Sequence, residues 1–170
     1  MPRDLLTTRQ AVFRQWYDRY YKAVYHTSLG ILHDASEAED CMQETFTALW
    51  NALQSGEDIR NPGGGLLRVC RNVSLSVLRR SRRVTVLEDP SEPLPDIDTA
   101  AMPEEAVYIA QILACLPAQE REVFTLHVMA GLRLTEIARM MEAPAATVRW
   151  RYATARRLLQ AQLQKESEIV

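Results

Sequence analysis

Four arginines, Arg149, Arg151, Arg156 and Arg157, fall between Ala145 and Gln164 with no acid among them. A guanidinium pairs bidentately with guanine and grips phosphate, so arginine at this density on one element suits the major groove of duplex DNA. At 100° per residue, Arg149, Trp150, Ala153 and Arg157 face away from the apolar Val148, Tyr152, Ala155 and Leu159, and Arg156 and Arg151 flank that face. A solvated basic face has the same pattern, and tandem helices also occur in bundles that bind no DNA. A second basic set comprises Arg60, Asn61, Arg68, Arg71, Asn72, Arg79 and Arg80. Its amides and guanidiniums can hydrogen-bond an unstacked base and follow a single-stranded backbone, although a plain basic surface beside a loop reads the same way. A third set is opposite in sign: Glu37, Asp40, Gln43, Glu44 and Thr47 form an acidic face. Such a face repels phosphate and points towards a basic protein surface, unless it merely solubilises the helix.

These sets explain why the overall charge is uninformative. The 170 residues carry a net charge of −2, yet Arg60 to Arg83 holds seven arginines and no acid, whereas Val84 to Glu120 holds eight acids and no base. Segregated blocks bind partners that an average conceals. With 47% hydrophobic and 25% charged residues, the chain has the composition of a globular protein with a packed core.

The elements that would hold these residues read as helices throughout. Val12, Phe13, Trp16, Tyr20, Val24 and Ile31 recur at helical spacing over Gln10 to Leu32. Asp34 and Glu37 form a capping-box signature ahead of a helix whose apolar face is Ala38, Cys41, Met42, Thr45, Phe46, Leu49, Ala52 and Leu53. Gln54 to Gly65, rich in glycine, predicts a loop; Leu66, Leu67, Cys70, Val73, Val77 and Leu78 predict the buried stripe of a third helix. The acidic, proline-rich segment 84–102 predicts a linker between a domain at 1–83 and one at 103–170. Pro103 and Pro117 suit the first turns of helices, and a further helix should end at Gly131. Leu134 to Met141, a turn at Glu142 to Pro144 and a longer helix then give a helix-turn-helix. The expected fold is all-α, with two small helical domains. Units near seventy residues are marginally stable alone, so partners bear on their stability.

Other classes fit less well. Cys41, Cys70 and Cys115 form no CxxC pair and read as core thiols in a reducing compartment. His26, His33 and His127 are scattered, no nucleophile is paired with a base, and Gly63 to Gly65 lacks the lysine of a phosphate loop. No enzyme, cofactor or metal is expected, and a thiol or metal sensor built from Cys41, Cys70 or His33 is the weaker alternative. The N-terminus lacks a signal-peptide stretch and no apolar run reaches membrane-spanning length, so the expected location is the cytoplasm, without membrane insertion.

The segment DASEAEDCMQETFTALWNAL, Asp34 to Leu53, resembles the second conserved region of extracytoplasmic-function sigma factors, with Glu39, Asp40, Gln43, Glu44, Phe46 and Trp50 on its pattern. The resemblance implies that this helix docks on the clamp coiled coil of the largest RNA polymerase subunit through Glu37, Glu39, Asp40, Gln43 and Glu44. Asn61 to Arg83 is similar to the stretch that melts and reads the minus-ten promoter element, with Arg71 and Asn72 at the Arg-Asn pair; Leu66 stands where tryptophan is usual. Leu116 to Leu159 resembles the region that reads the minus-thirty-five element, which implies that role for Arg149, Trp150, Arg151, Ala153, Arg156 and Arg157. It departs at Arg133, in place of a capping serine, at Glu142, in place of a turn glycine, and at Trp150, in place of a small polar residue. The resemblance further implies contact with the flap of the second polymerase subunit, promoter DNA, and an anti-sigma factor. The main alternative is a conventional regulator whose helix-turn-helix binds an operator without polymerase; an adaptor with no DNA contact is a third reading.

Overall fold

The computed structural model describes residues 2–84 and 102–169; most of the expected linker lies outside them. Seven α-helices follow one another, and no strand occurs among the described residues: α1 Pro2–Leu32, α2 Ala35–Ser55, α3 Pro62–Val84, α4 Glu104–Ala114, α5 Ala118–Phe124, α6 Leu134–Met140 and α7 Ala145–Ile169.

The helix ends follow from local chemistry. Helix α1 stops at His33, whose φ of 57° puts it in the left-handed region. Asp34 next adopts an extended conformation and its Oδ1 accepts the Glu37 amide at 2.8 Å, the expected N-cap of α2. Gly56, at φ 78°, closes α2 with two backbone bonds, Gly56 N to the Leu53 carbonyl and Glu57 N to the Ala52 carbonyl.

The expected loop is shorter than its glycines suggest. It spans only residues 56–61, because Asn61 caps α3 and Pro62 starts it: the Gly64 amide donates to Asn61 Oδ1 and the Gly65 amide to the Asn61 carbonyl, each at 3.0 Å. Two of the glycines sit where a side chain would crowd its neighbours. A Cβ on Gly63 would stand 3.0 Å from the Tyr20 ring, and one on Gly64 would stand 2.6 Å from the Asn61 amide that makes the cap. Pro103 and Pro117 sit one position earlier than expected, at the caps of α4 and α5. Helix α5 runs on into a π-helical turn, Thr125–Met129, and the chain turns at Gly131 with φ 71°.

Helices α1, α2 and α3 close around Val24, Phe46, Leu49, Leu67 and Cys70, as the spacing predicts. The buried stripe of α3 nevertheless continues through Ser74, with Val73 and Val77 only half-buried. Ser74 is accommodated because its hydroxyl and that of Ser28 share a 2.8 Å hydrogen bond. Cys41 and Cys70 are core thiols; burial pushes Cys70 up to about 12, and its Sγ donates to the Val24 carbonyl. Cys115 corrects the expectation of three buried cysteines, since it caps the end of α4 and is exposed.

The C-terminal helices share buried surface with the first three. The cluster holding Tyr20, Val24, Leu67 and Cys70 continues into Val123, Leu126, Leu132, Ile137 and Val148, and Ala110 of α4 packs with Leu29 and Ala38. A smaller core of Leu113, Leu116, Ala155 and Leu159 joins α4 to α7.

Candidate nucleic-acid and protein interfaces

Val148, Ala155 and Leu159 fix the orientation of α7 by burying one side of it. Arg149, Trp150, Ala153, Arg156 and Arg157 are exposed on a stripe about 120° wide on the other side. Trp150 is 62% exposed, so its indole stands in solvent beside Arg149. Arg156 is held in place, its guanidinium 5.8 Å from the centre of the Tyr152 ring, which in turn meets His127 edge-on at 4.6 Å. Arg151 is half-buried, about 160° round from the middle of the stripe. Helix α6 crosses before α7, and Glu142 turns the chain between them with φ 51°. Arg133 offers no side-chain cap to α6, but Glu136 Oε2 accepts the Arg133 amide at 2.8 Å, so half of a capping box remains.

On α3, Arg68, Asn72 and Arg79 fall within about 40° of one another and are exposed, with Arg80 exposed further round. Arg60 is exposed on the loop and paired with Asp58 at 3.0 Å. Arg71 and Asn61 differ from these. Arg71 Nε donates to Glu122 Oε1 of α5 at 2.5 Å, in a pair whose side chains are only 24% and 15% exposed. Asn61 Nδ2 donates to Glu136 Oε1 of α6 at 3.1 Å. Sequence reasoning missed both contacts. Their partners lie 51 and 75 residues away, beyond the reach of any local pattern.

On α2, Glu39, Asp40, Gln43 and Glu44 are exposed and Glu37 is half-buried. Between α1 and α2 an open groove of about 1290 Å³ is lined by Phe13, Tyr17, Phe46 and Trp50, with Arg14 and Asp18 at its edge. The groove was also missed: Phe13 and Phe46 were read as apolar-face positions, Trp50 only as part of the family pattern, and Tyr17 not at all.

The seam between the two groups of helices is rich in polar atoms. Arg121 donates to the carbonyls of Leu113, Leu116 and Gly30, which ties the α4–α5 corner to the end of α1, and desolvation pulls its pKa below the ordinary guanidinium range. Lys22 pairs with Glu105 across the seam. Burial, with Lys22 a lesser cause, pulls His26 down to about 4, and burial also lowers His33. Thr27 Oγ1 is the buried side-chain atom without a partner among the described residues. Among these residues no cluster of metal-binding side chains occurs and no helix is long and apolar enough to cross a membrane.

Family comparisons match two parts of the chain, Sigma-70 region 2 at residues 16–84 and Sigma-70 region 4 at residues 106–159. The ECF RNA polymerase sigma factor SigL of Mycobacterium tuberculosis is 29% identical over 162 residues, an alignment covering 91% of this chain and 90% of SigL. SigW of Bacillus subtilis is 26% identical over 168 residues, with the same coverage of each. Among solved structures, the sigma factor RpoE in complex with the anti-sigma factor NepR from Bartonella quintana superposes with a TM-score of 0.67 at 23% identity, covering 89% of this chain and 96% of that one. CnrH in complex with the cytosolic domain of CnrY gives a TM-score of 0.59 at 24% identity, covering 96% and 97%. Both superpositions establish the all-helical fold.

Proposed function

The chain belongs to the sigma-70 family of RNA polymerase sigma factors, in its extracytoplasmic-function group, and on that premise we propose which of its surfaces does what. A sigma factor directs polymerase to promoters and supports DNA opening, and the family is non-catalytic. In our reading, the basic stripe of α7 enters the major groove at the minus-thirty-five element, with Arg149 and Arg157 on base edges or phosphates and Trp150 on a thymine methyl or a sugar. Arg60, Asn61, Arg68, Arg71, Asn72, Arg79 and Arg80 capture the opened minus-ten strand. The acidic stripe of α2, with Glu37, Glu39, Asp40, Gln43 and Glu44, docks on the clamp coiled coil of the largest subunit, and the aromatic groove beside it lies on the same docking face. The C-terminal helices meet the flap of the second subunit.

The observation that carries this reading is the separation of surfaces. An exposed basic stripe on the second helix of a helix-turn-helix and an exposed acidic stripe on α2 suit a protein that grips DNA at one end and a basic protein at the other. It works in the cytoplasm, where polymerase is. RpoE, solved in complex with the anti-sigma factor NepR, supports an anti-sigma partner for this chain too. The purified protein should bind core polymerase and initiate transcription from promoters mapped after its overexpression. Asp40→Ala should weaken core binding while leaving affinity for upstream duplex unchanged. A chain that binds operator duplex but neither binds core nor initiates would be a conventional regulator.

A further inference from the structure

Arg156 has a fixed seat on the exposed stripe of α7, with its guanidinium 5.8 Å from the centre of the Tyr152 ring one turn back. Tyr152 itself cannot turn aside. Its half-buried ring packs against the core, Phe124 of α5 lies nearly parallel to it at 6.3 Å and 23°, and the His127 ring meets it edge-on at 4.6 Å. His127 is pinned in turn. A carbonyl can only accept, so His127 Nδ1–H donates to the Leu132 carbonyl at 2.7 Å, while the Leu132 amide bonds the Leu126 carbonyl at 3.1 Å. Rings from α5, the π-helical turn and α7 thus make a shelf of fixed direction under one guanidinium.

The way a cation is held decides what it can still bind. Arg71 gives a donor to Glu122, and Arg121 gives three to carbonyls. An aromatic face instead attracts a cation through the ring quadrupole, without engaging its N–H groups with an oxygen. None of the ion pairs among the described residues includes Arg156, so its planar fork is oriented and still free to donate. Position on the helix says what that fork meets. Arg156 lies about 60° from the middle of the stripe, where Ala153 stands. Base edges are reached by residues near the start of a recognition helix, the place of Arg149 and Trp150. An arginine two turns further on and at the edge of the stripe faces the wall of the groove, which is lined with phosphates. We propose that Phe124, His127 and Tyr152 are positioning residues that present Arg156 to a phosphate of the upstream duplex. The inference rests on the reading of α7 as the helix that enters the groove. A guanidinium already seated on a ring loses less freedom when it binds, so the shelf strengthens a contact it never touches.

The test uses the full chain assembled with core polymerase and titrated over a range of salt. The probes are a promoter duplex mapped after overexpression and the same duplex scrambled at its minus-thirty-five element. Arg156→Ala should weaken both by one factor and lower the slope of log affinity against log salt by about 0.9, the share of one phosphate. Tyr152→Leu should weaken both about threefold, and Tyr152→Phe, which keeps the ring, should bind like wild type. Once Arg156 is alanine, Tyr152→Leu should weaken binding no further. A ring that served only the fold would weaken binding in either background. An equal loss in the Arg156→Ala background therefore overturns the shelf, as does a Tyr152→Phe chain that binds no better than Tyr152→Leu. A loss confined to the intact promoter would make Arg156 a base contact and overturn the phosphate assignment. An Arg156→Ala chain with wild-type affinity and slope overturns the proposal at its premise, the reading of α7, which the other outcomes leave standing.

Discussion

At the scale of single residues, α7 separates a base contact from a backbone contact. Arg149 lies on the exposed stripe, clear of the core. If it pairs with a guanine, Arg149→Ala costs about 1 to 3 kcal/mol of discrimination between the matched promoter and a variant at that base pair. Binding titrations on both duplexes measure this, and an equal loss on each would mark Arg149 as a phosphate contact. The exposed character of Arg149, Trp150, Ala153 and Arg157 was legible from helical periodicity alone, because Val148 and Leu159 leave the opposite side no alternative. Helical periodicity does not single out Arg121. Its three carbonyl partners lie at the α4–α5 corner and the end of α1, and they make it a structural clip.

At the scale of elements, the boundaries that sequence placed well are those set by a side chain bonding its own neighbours. Asp34 caps α2 through an amide three residues on, and the motif is visible in the string of letters. The start of α3 was hidden because three consecutive glycines read as a loop. The Asn61 cap and the fixed φ of Pro62 outweigh the entropy lost by Gly63 and Gly64, where a Cβ would crowd Tyr20 and the Asn61 side chain. Glu142 is the converse case, a side chain where the turn between α6 and α7 holds φ at 51°. Glu142→Gly removes that strain and should raise stability by up to about 1 kcal/mol, seen as a higher melting temperature with unchanged helix content. A lower melting temperature would mean that the freedom gained by the unfolded chain outweighs the strain relieved.

At the scale of the whole molecule, acid should weaken the fold. His26 is buried at the seam, edge-on to Tyr25 at 5.4 Å and close to Lys22 and Glu105. Its folded pKa of about 4 lies below the usual histidine value, so the unfolded chain takes up a proton that the folded chain refuses. The stabilisation is complete above about pH 6.5 and is lost as pH falls towards about 4, by up to about 1.4 kcal/mol per pH unit. His33, lowered by burial and by Arg121, acts in the same direction. Urea unfolding at about pH 7 and about pH 5 should show the loss, and His26→Phe should flatten it. An unchanged pH slope in that variant would assign the effect to other groups. None of this was legible in the sequence, which reports each helix's own period. The packing of α5 and α6 against α1 and α3 joins residues too far apart for that period to register.

The apolar seam has a consequence for how long the molecule survives in a cell. Loosening of that core would expose Val24, Leu126 and their neighbours to water, and such surface is what quality-control proteases and chaperones engage. The shared core is therefore a shelter from degradation as well as a source of stability, and Leu126→Ala, which hollows it, should shorten the protein's half-life in cells after synthesis is stopped.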